Sequence, residues 1–197
     1  MTILSKAMGE YQTNCYIIKF DSFDIVIDPG IGATAWVLEN TTNLKAILNT
    51  HGHFDHIWSN KELKEKLNIP IFCPQGDCFM LENDPFSYGT PICQADIEVK
   101  PDETVTIEGI DIVFYHFSGH TPGCSAITID DNMFSGDFIF QNSIGRSDFP
   151  YSSSVDMKKS IEKILTWKHE FNIYPGHGPS TTLKQEKIQL NQWLNYL

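Results

Sequence analysis

The heptapeptide Thr50-His51-Gly52-His53-Phe54-Asp55-His56 constrains this chain more than any other stretch. Three imidazoles and one carboxylate fall within six residues, and each is a ligand for a divalent transition metal. His51 and His53 are two apart, so on an extended segment they point the same way. Asp55 and His56 follow at once, where a charged amphipathic helix pattern, Ile57 to Leu67, begins. One short loop can therefore aim ligands at one centre from one side and at a neighbouring centre from the other. The chain has 7 histidines in 197 residues. Three of them in one hexapeptide is not the scatter expected of surface or core histidines.

The segments around this loop alternate between strand and helix signals. Strands are expected at Thr2 to Met8, Asn14 to Phe20 and Phe23 to Ile27, the last stopping at Asp28-Pro29-Gly30. Pro lacks an amide donor and Gly tolerates positive φ, so the strand ends there. Asp28 reads equally well as a turn-capping carboxylate and as an acceptor that orients a histidine of the metal loop. A helix over Ala33 to Asn40 and a buried strand over Lys45 to Asn49 deliver the chain to His51, and Pro70 to Cys73 makes a further strand. This alternation predicts an α/β layer arrangement. Gln75 to Leu81 has helical character. Asn83 to Pro91 is a loop with turn signals and the aromatics Phe86 and Tyr88, either a lid over a substrate or a packed surface loop.

Beyond it, Glu98 to Pro101, Thr104 to Ile107, Ile110 to Phe117, Ser125 to Ile129 and Asn132 to Ser135 read as β-structure. Val155 to Lys168 reads as a helix capped by Ser154 or Asp156. Phe171 to Tyr174 is a last strand and Thr182 to Tyr196 a terminal helix. Three strand ends each present a ligand type on a turn bounded by Gly or Pro: His120, Asp137 and His177. With His51, His53, Asp55 and His56 they make seven candidate ligands. One zinc takes about four; seven suit two ions sharing a bridging carboxylate. His116 and His169 read as structural or surface residues.

Taken together, these motifs resemble the metallo-β-lactamase superfamily, and within it the small glyoxalase II-like hydrolases. The resemblance is carried by Asp28 in Ile-Asp-Pro-Gly, the full His51 to His56 motif, Gly119-His120-Thr121-Pro122-Gly123, Ser135-Gly136-Asp137 and Pro175-Gly176-His177-Gly178. It implies an αββα sandwich, two sheets face to face with helices outside, as one domain over residues 1–197. It assigns His51, His53 and His120 to a first metal, Asp55, His56 and His177 to a second, and Asp137 to a bridge between them. The ions expected are two divalent metals, zinc first, with iron and manganese also compatible with imidazole and carboxylate ligands. Ser143 to Pro150 resembles a segment of glyoxalase II-like and persulfide dioxygenase-like members, with Arg146 as a brace of the site. Full-length glyoxalase II enzymes carry a C-terminal helical domain that helps bind glutathione; this chain ends about twenty residues after His177, which speaks against glutathione-thioester specificity.

The implied activity is hydrolysis of a thioester. A water activated by the two metals attacks the carbonyl, with Asp55 both ligating and orienting it. The alternatives are a persulfide dioxygenase with a single iron on His51, His120 and Asp137, a lactonase, or a nuclease of the same fold. A net charge of −11 and pI near 4.9 speak against nucleic acid and anionic membranes as partners and leave a small-molecule substrate. No signal-peptide pattern precedes Glu10, and no window reaches the ~20 apolar residues of a span. The five cysteines, Cys15, Cys73, Cys78, Cys93 and Cys124, form no Cys-x-x-Cys pair and fit reduced, mostly buried thiols of a cytoplasmic protein.

Overall fold

The computed structural model describes residues 1–197. The first half contains β1 (Thr2–Met8), β2 (Thr13–Lys19), β3 (Asp24–Ile27), α1 (Ala33–Asn40), β4 (Leu44–Leu48), α2 (Phe54–Ile57), α3 (Asn60–Leu67), β5 (Ile71–Pro74), a 3₁₀ turn (Gln75–Asp77), α4 (Cys78–Asn83) and β6 (Ile97–Val99). Its strands form one sheet in chain order, antiparallel from β1 to β3 and parallel from β3 to β6. The second half contains β7 (Glu103–Ile107), β8 (Ile110–His116), β9 (Ser125–Ile129), β10 (Asn132–Gly136), β11 (Ile139–Phe140), β12 (Ser143–Ile144), α5 (Ser154–Leu165), β13 (Asn172–Pro175), β14 (Thr181–Thr182) and α6 (Leu183–Trp193). The second sheet runs β14-β13-β10-β9-β8-β7, and β11 pairs with β12 apart from it.

Strand alternation builds the layers. Successive side chains leave a strand on opposite faces, and in inner strands such as β2, β9 and β10 both faces are buried. In β2, Cys15 and Ile17 face α1 to α4, whereas Tyr16 and Ile18 face the other sheet. In the second sheet, Ile127 and Phe134 face inward, while Ala126 and Met133 pack against Ile161, Ile164 and Leu190 of α5 and α6. Three apolar layers result: helix on sheet, sheet on sheet, and sheet on helix. This is the αββα sandwich. Truncating a fully buried side chain of the central layer, such as Phe114 or Phe134, costs about 3–5 kcal/mol in a core of this kind.

Some boundaries differ from the sequence reading. The helix expected over Ile57 to Leu67 is two helices, so Asp55 and His56 lie inside α2 rather than before it. The break falls at Ser59, whose hydroxyl donates to Gly30 O at 2.7 Å and whose amide donates to Pro29 O at 2.9 Å. Those bonds draw the chain out of the helical ladder. The cap of α5 is Ser153, not Ser154 or Asp156, and its hydroxyl accepts from Asp156 N. β11, β12 and β14 have two residues each, too short for any periodicity. No helix is long and apolar enough to cross a membrane.

Candidate metal centre

Asp28, His51, His120, Asp137 and His177 all follow the carboxyl ends of strands, namely β3, β4, β8, β10 and β13. Carboxyl ends of strands are where open α/β sheets place ligands. Backbone bonds join the two sheets at this edge. Ser125 N donates to Thr50 O at 2.9 Å and Asn14 N to Gly176 O at 2.7 Å. Tyr16 Oη donates to Pro175 O at 2.6 Å. The turns that carry the histidines are thereby held against one another.

All seven candidate ligands converge. The ligand atoms of His51, His53 and His120 lie within 4.8 Å of one another, and so do those of Asp55, His56 and His177. Asp137 stands between the two groups. Its Oδ2 is 3.3 Å from His120 Nε2 and 3.5 Å from His177 Nε2, and its Oδ1 is 3.3 Å from His56 Nε2. Asp55 Oδ2 is 3.5 Å from His56 Nε2 and 3.4 Å from His177 Nε2.

Each imidazole but one is tethered through Nδ1. His120 Nδ1 donates to Arg146 O at 2.7 Å and His177 Nδ1 to Tyr11 O at 3.0 Å. A carbonyl only accepts, so both rings carry the proton on Nδ1. Asp28 Oδ2 accepts from His56 Nδ1 at 2.9 Å and from Thr50 Oγ1 at 2.6 Å, and Thr50 Oγ1 lies 3.1 Å from His51 Nδ1. With its own proton given to Asp28, the Thr50 oxygen is left to accept from His51. Asp28 Oδ1 takes the Thr50 amide at 2.8 Å, so both carboxylate oxygens of Asp28 are occupied by hydrogen bonds. The Nε2 atoms of His51, His56 and His120, and Asp137 Oδ1, are buried with no hydrogen-bond partner. Buried polar atoms without partners are costly and rare; four of them among the clustered candidate ligands fit cations as the missing partners. The donor set, imidazole nitrogen with carboxylate oxygen, suits zinc, iron or manganese. His53 has no tether and packs against Phe86 at 5.5 Å between ring centroids.

The two groups differ in charge. Burial pushes His51 well below the usual imidazole range, with the His56 charge adding to it. Burial likewise takes His53 down to about 3, with His120 beside it. For His56 burial works in the same direction, but Asp55, Asp137 and Asp28 together outweigh it and hold the group well above 6.5. His177 is raised to about 9, since bonds to Asp137 and Asp55 overcome burial. Asp55 falls to about 2 and Asp137 is held well below the usual carboxylate range, because neighbouring imidazoles, His56 foremost, outweigh burial.

Three further contacts organise the site. Asp77, fully buried, takes Gly52 N at 2.9 Å on Oδ2 and Gly123 N at 2.6 Å on Oδ1. The Thr121 hydroxyl donates to the same Oδ2 at 2.5 Å. One carboxylate thus ties the turn of His51 and His53 to the turn of His120. Thr13 Oγ1 donates to Asp55 Oδ2 at 2.6 Å. Neither Asp77 nor Thr13 carries a local sequence signal. Arg146 braces the site through its carbonyl, while its guanidinium points outward, paired with Asp148 at 2.8 Å. Above the ligands opens a cavity of about 450 Å³ walled by Tyr11, Phe54, Phe86, Tyr88, Phe149 and Pro150. Asn83 to Pro91 therefore supplies part of the cavity wall. His116 and His169 lie elsewhere, on Pro122 O and Asp131 respectively.

Residues 8–180 match the Metallo-beta-lactamase superfamily. The chain belongs to that superfamily. It is 34% identical over 200 residues to hydroxyacylglutathione hydrolase GloC of Haemophilus influenzae, covering 94% of each chain. Among solved structures it is similar to the BLEG-1 B3 metallo-beta-lactamase, with a TM-score of 0.87 and 31% identity over 98% of this chain and 99% of that one. It is also similar to TTHA1623, solved in a di-iron-bound form, with a TM-score of 0.77 and 30% identity over 93% and 96% of the two chains. The fold is thus that of the metallo-β-lactamases, and its His/Asp clusters have the composition and spacing to hold divalent ions.

Proposed function

We propose that this protein is a glyoxalase II-like hydrolase that holds two divalent ions and cleaves a small-molecule thioester. The observation that carries the reading is the double set of ligands. His51, His53 and His120 would hold one ion, Asp55, His56 and His177 the other, with Asp137 between them. Ions held there supply Lewis-acid chemistry, lowering the pKa of a water and polarising the substrate carbonyl.

The remaining work belongs to the chain itself. Asp28, Thr50, Arg146 O and Tyr11 O fix four imidazoles with Nε2 turned inward, so little reorganisation accompanies reaction. Asp55, on the cavity wall and tethered by Thr13, orients the attacking water and stays ionised at neutral pH. Water oxygen bonds to the carbonyl carbon and gives one proton to solvent, the carbon–sulfur bond breaks, and the sulfur leaves as thiolate with its electron pair. A thiol has a pKa of about 8.5, so the thiolate leaves without a strong protein acid. The similarity to GloC supports this choice among the reactions the superfamily performs.

A mononuclear-iron dioxygenase on His51, His120 and Asp137 is the rival. It leaves Asp55, His56 and His177 without a task, which favours the dinuclear reading. The five free cysteines, four of them buried, suit the reducing cytoplasm. The test is thiol release from a panel of thioesters by metal-loaded protein. Metal-dependent release that Asp137→Ala abolishes is the expected result. Full activity in that variant, or oxygen uptake with a persulfide in place of thiol release, would sink the proposal.

A further inference from the structure

Resting on the thioesterase reading, the walls of the cavity indicate its substrate class. The rings form one connected surface. Tyr11 meets Phe54 at 5.0 Å between centroids, Phe54 meets Tyr88 at 4.4 Å, and Tyr88 stacks on Phe86 at 5.9 Å. Phe86 meets Tyr151 at 5.8 Å, and Tyr151 meets Phe79 at 5.1 Å. Phe149 meets His53 at 6.2 Å and His120 at 6.1 Å. Tyr11, Tyr88 and Tyr151 are each more than half exposed. Large rings gathered in the open around one cavity mark a binding surface.

Charge gives the second argument. The chain has 14 Lys and Arg residues, yet none lines this cavity. The cation at its edge, Arg146, is engaged: both of its bonds go to Asp148, and it lies 4.1 Å over the Phe149 ring. Carboxylates on a carrier thiol, which extends outward from the ligand groups, would meet no Lys or Arg along the cavity wall.

We infer that the site takes a thioester with an aromatic acyl group on a carrier thiol that bears no negative charge. The acyl ring lies against Phe86, Tyr88 and Phe54, where offset or edge-to-face contacts are available. Asp148 acts as a guard, keeping Arg146 from recruiting anionic carriers.

The experiment compares four thioesters, acetyl and phenylacetyl, each on N-acetylcysteamine and on glutathione. Apolar pockets discriminate by roughly tenfold or more per group accommodated. Phenylacetyl should exceed acetyl by about tenfold in kcat/KM on either carrier. N-acetylcysteamine should serve at least as well as glutathione. Phe86→Ala with Tyr88→Ala, compared with the parent at equal metal content, should erase the phenylacetyl advantage through KM. Asp148→Asn should raise the use of glutathione esters relative to neutral ones. A tenfold preference for glutathione, or an acyl preference untouched by the double variant, overturns the inference and leaves the thioesterase reading intact. If protein with two ions bound cleaves none of the four, the thioesterase reading fails instead. The wall is then read by binding: phenylacetohydroxamate should bind about tenfold tighter than acetohydroxamate, and equal affinities overturn the inference.

Discussion

Asp28 Oδ2 accepts from His56 Nδ1 at 2.9 Å, and the same oxygen takes the Thr50 hydroxyl that faces His51. A single buried carboxylate therefore sets the tautomers of two histidines, one from each ligand group. It does so from a left-handed backbone conformation, φ 49°, at the end of β3. Such positions cost energy for a non-glycine residue and persist where the surroundings over-determine them.

Asp28→Asn is expected to weaken metal binding about 10–100-fold, the range for losing an orienting partner of a ligand histidine. The amide can present NH₂ to His56, which turns that ring's proton toward the cavity. Competition titration with a chromophoric chelator reads the effect. Unchanged affinity would mean that Asp28 merely caps the turn after β3.

The two ligand groups should bind ions with different pH dependence. His177 is held at about 9 and His56 above 6.5, so near pH 7 both carry protons that an ion must displace. His51 and His53 are neutral there. The first ion should bind with little proton release. The second should release protons and weaken as pH falls. Calorimetric titration in buffers of different ionisation enthalpy counts the protons; equal release at both sites would contradict this. In the metal-free protein the raised His177 adds stability that is complete below about 6.5 and lost as pH rises through about 9.

Asp77→Ala is expected to cost about 3 kcal/mol of stability, since it strands the Gly52 and Gly123 amides and the Thr121 hydroxyl in a buried place. Binding to His51, His53 and His120 should weaken more than binding to His56 and His177. Denaturant unfolding of the metal-free protein, paired with metal titration, separates the two effects. A variant as stable as the parent would show the bonds to be dispensable.

Gly176→Ala is expected to disrupt the bridge. A Cβ there would collide with Asp137 Oδ1 and come 2.7 Å from His56 Cε1. Metal analysis should find fewer than two ions per chain, with the fold retained by circular dichroism. A full complement would show that Asp137 can move aside.

The α/β layering was legible in the alternation of strand and helix signals, whereas the αββα sandwich was legible only through the motifs that resemble the metallo-β-lactamase superfamily. The clustering of the seven candidate ligands was legible because His and Asp recur on the turns after strands. What stayed hidden depends on distant partners. Ser59 breaks a continuous helical pattern only because Gly30 and Pro29 sit beneath it. Asp77 lies 25 residues from Gly52 and 44 from Thr121, so nothing local marks it as the tie between two turns. Arg146 was expected as a brace, and it is one through its carbonyl rather than its charge.

Metal content tests the central claim most directly: protein purified without added metal or chelator, analysed for identity and stoichiometry, beside Asp137→Ala. The account predicts about two divalent ions per chain, falling to one or none in the variant. A single iron per chain, retained when Asp55, His56 and His177 are replaced together, would contradict the dinuclear site and point to the dioxygenase.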